Sequence, residues 1–268
     1  MKKSVLLGLL SLTACLFTAC SSNNDEGGEP TPPTVSGKKI SSVKSVWGGN
    51  GSVGSLTTFS YDKQGRVISF KAVFTEKGMT FTENCNYSYS NTSIEVRDII
   101  VSDGDSNSFH SCNYTLDSNK RISKALITNN YHAEMCEYIY DERGQLVGIS
   151  SNGVYNYSLS WYNGNISTVV ENETRNGRTS QSVENYTFTN YSTKNLIGMI
   201  VEGVVGIPDH LDPILFMQGY FGAYPKNTIS TCTRNNEPTV TNKYEVDDQG
   251  YITKISVSNG YIYTITWK

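Results

Sequence analysis

The residues best suited to chemistry lie in two short stretches, His110-x-Cys112 and His132-x-Glu134-x-Cys136. Imidazole, thiolate and carboxylate groups are the ligands that zinc takes in proteins. Alternate positions of a β-strand point to the same side, so each stretch would present its candidates on one face. We nevertheless predict no metal site, and keep His110, Cys112, His132 and Cys136 as weak candidates only.

The reason is the spacing of the strands that would carry these residues. Sequence alignment within the chain places Cys112 and Cys136 at matching positions of two strands with one strand between them. Two strand spacings are about 10 Å, whereas zinc bonds are roughly 2.0–2.3 Å long and a disulfide needs Cα atoms within about 7 Å. We therefore expect buried cysteines packed among tyrosines. A bridge from Cys232 to another cysteine stays open, because disulfides persist in oxidising compartments.

Other chemical signatures are missing from the sequence after the N-terminal segment. It contains no nucleophile elbow, zinc-protease, Walker or dinucleotide fingerprint, and the three histidines have no triad spacing. The net charge is −3 and the lysines are scattered, which gives no reason to expect a nucleic-acid partner. We expect no enzymatic activity and no cofactor.

A repeated unit supplies the elements that position these residues. Its clearest copies are FSYDKQGRVISFKA from Phe59, CNYTLDSNKRISKAL from Cys112, CEYIYDERGQLVGIS from Cys136 and YEVDDQGYITKISV from Tyr244. Weaker copies are CNYSYSNTSIEVRDI from Cys85, LSWYNGNISTVVEN from Leu159 and YTFTNYSTKNLIGMIV from Tyr186. Each copy predicts a strand, a tight turn near its centre and a returning strand.

The acidic residue and the glycine of the unit are interpreted as turn residues. An aspartate that opens a type I turn accepts hydrogen bonds from backbone N–H groups two residues on. Glycine then adopts the left-handed conformation that closes a three-residue hairpin with a bulge. The apolar residues after the turn, such as Leu146 and Ile149, are three apart, and a bulge would bring both to one face. The assigned turn residues are Asp62, Gly65, Asp141, Gly144, Asp247 and Gly250.

Two strands per unit predict an all-β fold over residues 39–268, a single antiparallel up-and-down meander of about 14 strands. Twist accumulates across so wide a sheet, and closure removes its exposed edges. We therefore predict a strongly curled or closed barrel.

One departure from the repeat predicts a short apolar helix near residues 209–223. Asp212 followed by Pro213 is an N-cap signal, and Asp209 and His210 are interpreted as further cap residues. The helix is apolar nearly all round, so it should be buried as a plug or lid at one end of the barrel. A mobile lid over a ligand cavity is the alternative.

The N-terminus predicts export and lipid anchoring. Residues 1–19 have the short positive, apolar and small-residue regions of a secretory signal peptide. The cysteine that follows them, Cys20, is the predicted lipidation site, with Cys15 as the alternative. Residues 20–38 are rich in Ser, Gly, Pro and acidic groups, which predicts a flexible tether.

The units written YxYDxxGxL, as in YIYDERGQL here, resemble the tyrosine-aspartate repeats of bacterial surface shells and toxins. Together with the lipobox, its acidic tail and the apolar helix before YPKNTIS, they make the chain similar to a Bacteroidetes lipoprotein family of unknown function with a porin-like fold. The resemblance implies a barrel-like antiparallel sheet on a lipid anchor. It transfers no active-site residues.

We therefore expect a surface-exposed lipoprotein of the outer membrane that acts as a non-enzymatic binding or scaffold module, for a glycan or for a peptide or other protein ligand. Two alternatives stay open. One is a membrane-spanning β-barrel, suggested by Trp267 near the end of the sequence. The other is a hydrolase with a site under the helical lid, where a histidine such as His210 would meet carboxylates.

Overall fold

The structure is a computed structural model, and it describes residues 37–47, 54–76, 78–102, 108–130, 132–152, 155–175, 177–196, 210–235 and 237–268. The predicted signal peptide, both candidate lipidation sites and most of the predicted tether lie outside the described residues.

The described residues form a closed antiparallel barrel. Its strands are β1 (Ile40–Trp47), β2 (Gly54–Tyr61), β3 (Val67–Glu76), β4 (Met79–Tyr89), β5 (Ser93–Ser102), β6 (Ser108–Leu116), β7 (Ile122–Asn129), β8 (Ala133–Tyr140), β9 (Leu146–Ser151), β10 (Tyr155–Tyr162), β11 (Asn165–Arg175), β12 (Arg178–Ser192), β13 (Asn227–Arg234), β14 (Val240–Val246), β15 (Ile252–Val257) and β16 (Tyr261–Trp267). Each strand pairs with its neighbours in sequence, and β1 pairs with β16 to close the ring. The predicted all-β barrel is confirmed.

The strand count is 16 in the described residues rather than about 14. The unit that starts at Tyr186 is not a hairpin, because β12 runs on to Ser192 and enters a 3₁₀ turn, Thr193–Leu196. Its partner strand begins only at Asn227. This copy lacks the aspartate and glycine of the strong copies, as does the copy at Cys85, which nevertheless reverses between Ser90 and Ser93. The count reaches 16 because β1, β13 and β16 lie outside the aligned units.

The aspartates of the strong repeat copies hold their turns by hydrogen bonds. The backbone N–H of Arg66 donates to Asp62 Oδ1 at 2.8 Å, and the N–H of Gln145 donates to Asp141 Oδ1 at the same distance. Glycine follows three residues after each aspartate with a positive φ, 88° at Gly65 and 74° at Gly144. The same arrangement recurs at Asp247 and Gly250 and, with lysine in place of glycine, at Asp117 and Lys120.

The aromatic residue before the turn links successive strands. A register shift lies between Ile139 and Tyr140, and the hydroxyl of Tyr140 donates to the carbonyl of Ile122 at 2.6 Å. This carbonyl belongs to the first residue of the preceding strand. Equivalent bonds to a preceding strand join Tyr61 to Ile40, Tyr89 to Val67, Trp161 to Leu146, Tyr244 to Ile229 and Trp267 to Ile252. The repeated ring therefore ties neighbouring strands together near the turns.

A plug segment, residues 210–226, fills the barrel at the end where the aspartate turns lie. It contains one helix, α1 (Pro213–Met217), whose N-cap Asp212 accepts from the N–H of Leu215 at 2.9 Å. Its backbone bonds directly to the barrel: the N–H of Ile122 donates to Tyr220 O, and that of Ala223 to Gly144 O. The apolar residues of the segment, Leu211, Ile214, Leu215, Phe216, Met217, Tyr220 and Phe221, are buried.

The predicted short apolar helix is therefore present, as a packed plug, although Asp209 lies outside the described residues. Among the described residues, no helix is both long enough and apolar enough to cross a bilayer. We refer below to the plugged end and label the end opposite it the open end; the loops 48–53, 103–107 and 153–154 at that end lie outside the described residues.

Candidate functional site

The interior of the barrel is divided along its axis. Near the plugged end the inward side chains are apolar and form one core with α1. Toward the open end the same faces carry polar side chains. Strand pairing gives their neighbours: Asp98 lies opposite the core residue Cys85, Glu171 opposite the core residue Tyr157, and Glu184 opposite Arg234. We call this set the polar lumen; its members are Glu83, Asp98, His110, Glu134, Ser151, Glu171, Glu184 and Arg234.

A histidine of the plug segment stands at the base of the polar lumen. His210 Nε2 lies 3.1 Å from Glu134 Oε1 on β8, and its Nδ1 lies 3.1 Å from the hydroxyl of Tyr157 on β10. Tyr157 donates in turn to Glu171 Oε1 on β11 at 3.1 Å. The side chains of His210 and Glu134 are only 13% and 16% exposed, so these polar contacts are largely protected from solvent.

This series of polar contacts continues along the barrel wall, away from the plugged end. Arg234 Nε on β13 lies 2.7 Å from Glu184 Oε1 on β12, and Arg234 Nη2 lies 3.8 Å from Glu171 Oε2. Glu184 also accepts a short hydrogen bond from the hydroxyl of Tyr186. Arg234 is 44% exposed, although strand alternation places it on the same face as the half-buried Cys232.

A second polar group lies across the lumen on β4, β5 and β6. Burial, with the neighbouring Asp98 carboxyl, raises the pKa of Glu83 to about 7. Burial also raises the pKa of Asp98, and the positive charge that His110 can carry opposes this rise. His110 lies directly opposite Asp98 in the β5–β6 pairing. The two carboxyl groups therefore share a proton more readily than carboxyls in water, since two like charges at close range are costly.

The N-cap carboxylate of α1 also meets the wall. The hydroxyl of Tyr87 on β4 donates to Asp212 Oδ2 at 3.1 Å. Burial raises the pKa of Asp212 to about 6, although the N–H of Leu215 and the tyrosine hydroxyl oppose the rise. This carboxyl fixes the plug to the wall.

The four cysteines of the described residues are all free thiols, so the bridge left open for Cys232 is not formed. Cys112 and Cys136 are buried among tyrosines, as the sequence predicts. Burial and then the Glu134 carboxylate raise the pKa of the Cys136 thiol to about 11.

The structure separates the candidates that the sequence groups together. Cys136 Sγ joins Glu134 and His210, the ligating atoms of all three lying within 4.8 Å of one another. His110 and His132 are exposed and take no part in this cluster. The interpretation of His210 as a cap residue is wrong, because Asp212 caps α1 and the imidazole of His210 contacts the barrel wall.

Sequence reasoning missed Glu171, Glu184 and Arg234. A local signal exists for them, because each falls two residues from an inward apolar or aromatic position: Val169, Tyr186 and Cys232 respectively. Strand alternation therefore gives their direction. It does not give their mutual distances, which depend on closure of the ring.

These features define the class: a closed antiparallel barrel with an internal plug and a polar lumen. A family model matches residues 59–266, and its description is a domain of unknown function, DUF4595, with porin-like fold. The chain belongs to this family.

Two solved structures are similar to this chain. The chain shares 14% identity and a TM-score of 0.60 with a porin-like protein from Bacteroides uniformis ATCC 8492, over 90% of this chain and 100% of that one. It shares 13% identity and a TM-score of 0.41 with a porin-like protein from Bacteroides vulgatus ATCC 8482, over 87% of this chain and 99% of that one. At these identities the likeness concerns the fold alone. No curated protein matches the sequence.

Proposed function

We propose that this protein is a lipid-anchored, non-enzymatic binding module of the cell envelope, and that it takes a short basic peptide into its polar lumen. The observation that carries the proposal is the division of the interior, with an apolar core around the plug and, beyond it, inward polar side chains that include the 44% exposed Arg234. A barrel that served only as a packed scaffold would have no reason to turn carboxylates inward, because burying polar groups is costly.

The charge of the lining selects the ligand class. The polar lumen contains the carboxyl groups of Glu83, Asp98, Glu134, Glu171 and Glu184 and the guanidinium of Arg234. Alternation along β12 places the exposed Arg178 on the same face, so carboxyl groups outnumber guanidinium groups there. Amines and guanidinium groups of a ligand would complete this set by charge-assisted hydrogen bonds. Tyr157 and Tyr186 are themselves buried, and their hydroxyls hold the carboxylates of Glu171 and Glu184 in place.

The contacts of Lys38 and Lys39 indicate which end of the barrel would face the membrane. Lys38 contacts Asp247 and Lys39 bonds to Lys268, so the chain enters the barrel at the plugged end. A tether from a lipidated Cys20 would therefore hold the plugged end toward the membrane. The open end would face away from it, toward ligands.

The outer face favours a barrel in water over a membrane-spanning one. Charged residues stand in mid-strand positions on that face, including the ion pairs Lys124–Glu137 and Lys254–Glu245. Arginine or lysine on a lipid face costs about 2–4 kcal/mol at the bilayer midplane. Membrane attachment through a lipid alone avoids this cost.

A hydrolase under the plug is the second candidate, because His210 does meet a carboxylate, Glu134. The neighbouring Cys136 would be the nucleophile, but its side chain is fully buried. Both ring nitrogens of His210 are also engaged, by Tyr157 and by Glu134, so neither is directed to activate the thiol. The arrangement suits binding better than covalent catalysis.

The test is binding of the purified protein to arrays of short basic peptides and of glycans, at low and physiological salt. We expect binding to basic peptides that weakens with salt and weakens further in Glu171→Gln. The matched control is Glu245→Gln, a carboxylate on the outer face that should change nothing. Binding to glycans but not to basic peptides would show that the proposed ligand class is wrong. An equal loss of peptide binding in Glu171→Gln and Glu245→Gln would refute the polar lumen as the binding site.

A further inference from the structure

Three different metal-binding groups converge at the base of the polar lumen. Glu134 and Cys136 are two residues apart on β8 and therefore face the same side. His210 reaches them from the plug segment, and the ligating oxygen, sulfur and nitrogen atoms all lie within 4.8 Å of one another. The sequence separation of the histidine and the glutamate is 76, so closure of the barrel around the plug creates the cluster.

The directions of the hydrogen bonds around His210 leave a position for a cation beside its Nε2 atom. Tyr157 gives its hydroxyl proton to Glu171, so its oxygen accepts from His210 Nδ1–H. In the neutral imidazole Nε2 then carries a lone pair, and it faces Glu134 Oε1 at 3.1 Å. The same oxygen accepts a hydrogen bond from the γ-hydroxyl of Ser151, and its lone pair toward Nε2 repels that of the nitrogen unless a proton or a metal ion lies between them.

The distances suit a tetrahedral metal ion. Ligand atoms about 2.0–2.3 Å from a tetrahedral zinc are about 3.3–3.6 Å from one another. The nitrogen and the oxygen are already near this separation, and the thiol needs a movement of about 1 Å. The hydrogen bond from Nδ1 to Tyr157, backed by Glu171, is the outer contact that metal-binding histidines require to fix their ring.

We propose that Glu134, Cys136 and His210 form a zinc site in the wall of the polar lumen. A thiolate, an imidazole and a carboxylate are the donor set of a borderline metal such as Zn²⁺, and a thiolate disfavours Mg²⁺ and Ca²⁺. Three protein ligands leave a fourth position for water or for a donor atom of the lumen's ligand. This inference goes beyond the proposed function, which needs no metal.

The test is metal uptake by the purified full-length protein after treatment with a chelator. Titration with Zn²⁺ against a competing chromophoric indicator should show one ion per chain. Titration with Co²⁺ should produce the near-ultraviolet charge-transfer band of a cobalt–thiolate bond. Absence of stoichiometric uptake by the unmodified protein would overturn the proposal, and would mean that a proton joins His210 to Glu134.

Two pairs of variants locate the site. Cys136→Ser should abolish the thiolate band and weaken Zn²⁺ binding by at least about 100-fold, since loss of an outer-shell partner alone costs 10–100-fold. Cys112→Ser removes an equally buried thiol outside the cluster and should keep both signals. His210→Gln should weaken binding likewise, while the exposed His132→Gln should not.

A band that survives in Cys136→Ser, or that is lost equally in Cys112→Ser, would refute the assignment. Circular dichroism of each variant shows whether the barrel has formed. Should a variant fail to fold, the uptake by the unmodified protein still decides. Binding of basic peptides to metal-free protein would leave the proposed function standing even if no zinc binds.

Discussion

Replacing Tyr140 with Phe tests whether the repeated aromatic residue stabilises the barrel through its hydroxyl. The substitution keeps the ring, which lies under the guanidinium of Arg121 with its centroid 4.4 Å from Cζ. It removes only the 2.6 Å hydrogen bond to the carbonyl of Ile122. Because Ile122 is fully buried, its carbonyl would lose a partner that water does not readily replace.

The expected loss is about 1–3 kcal/mol in the free energy of unfolding, the cost of leaving a buried polar group without its partner. For a domain of about 150–250 residues each kcal/mol shifts Tm by roughly 2–4 °C, so Tm should fall by several degrees. The assay is thermal and urea unfolding followed by circular dichroism. Tyr162→Phe is the matched control, because Tyr162 lies on β10 and is 68% exposed. An equal effect of the two substitutions would refute the role assigned to the hydroxyl.

Three further outcomes are expected. Gly222→Ala should destabilise the fold by more than about 2 kcal/mol in urea unfolding, because φ is +78° and a Cβ would overlap the carbonyl of the β8–β9 turn. The control Gly250→Ala has a similar φ but no atom within 4 Å of the added Cβ, so it should lower the free energy of unfolding less. The reverse order would contradict the contact between the plug segment and the turn. The free energy of unfolding should decrease as pH rises from about 4.5 to 7, because the pKa of Glu83 is raised to about 7 in the folded protein and the stability that its neutral form contributes is lost as pH rises through that value. Urea unfolding across this range should show a weaker pH dependence for Glu83→Gln. An unchanged pH dependence in this variant would count against the raised pKa. Cys20→Ser should release the protein from the membrane fraction, whereas Cys15→Ser should leave it there; the opposite result would move the anchor to Cys15.

The barrel was predictable from sequence because its turns are local. Aspartate and glycine three positions apart close the hairpins of the strong copies by backbone contacts that need nothing distant, as at Asp141 and Gly144. The unit at Tyr186 shows the limit of this reasoning: its strand pattern resembles the others, but β12 continues to Ser192 and its partner β13 begins at Asn227. The unit at Cys85 also lacks both turn residues and still forms the β4–β5 hairpin. Three strands, β1, β13 and β16, lie outside the aligned units, and the pairing of β1 with β16 closes the ring.

The polar lumen was predictable only in part. Alternation alone directs Glu171 and Glu184 inward once a neighbouring core residue is known. The cluster of Glu134, Cys136 and His210 is different, because it exists only where the plug segment enters the closed barrel. No spacing in the sequence encodes that meeting.

The pairing of β1 with β16 also determines how the barrel can form. Backbone bonds between Lys39 and Lys268 join the two ends of the sheet, and Trp47 bonds to Asn259 across 212 positions of sequence. Contacts so distant in sequence close large loops and slow the folding of β-proteins. A chain emerging from synthesis must therefore remain an open sheet with two unpaired edges until its last strand is available. That delay fits the export that we propose, in which the polypeptide would cross a membrane before the ring closes.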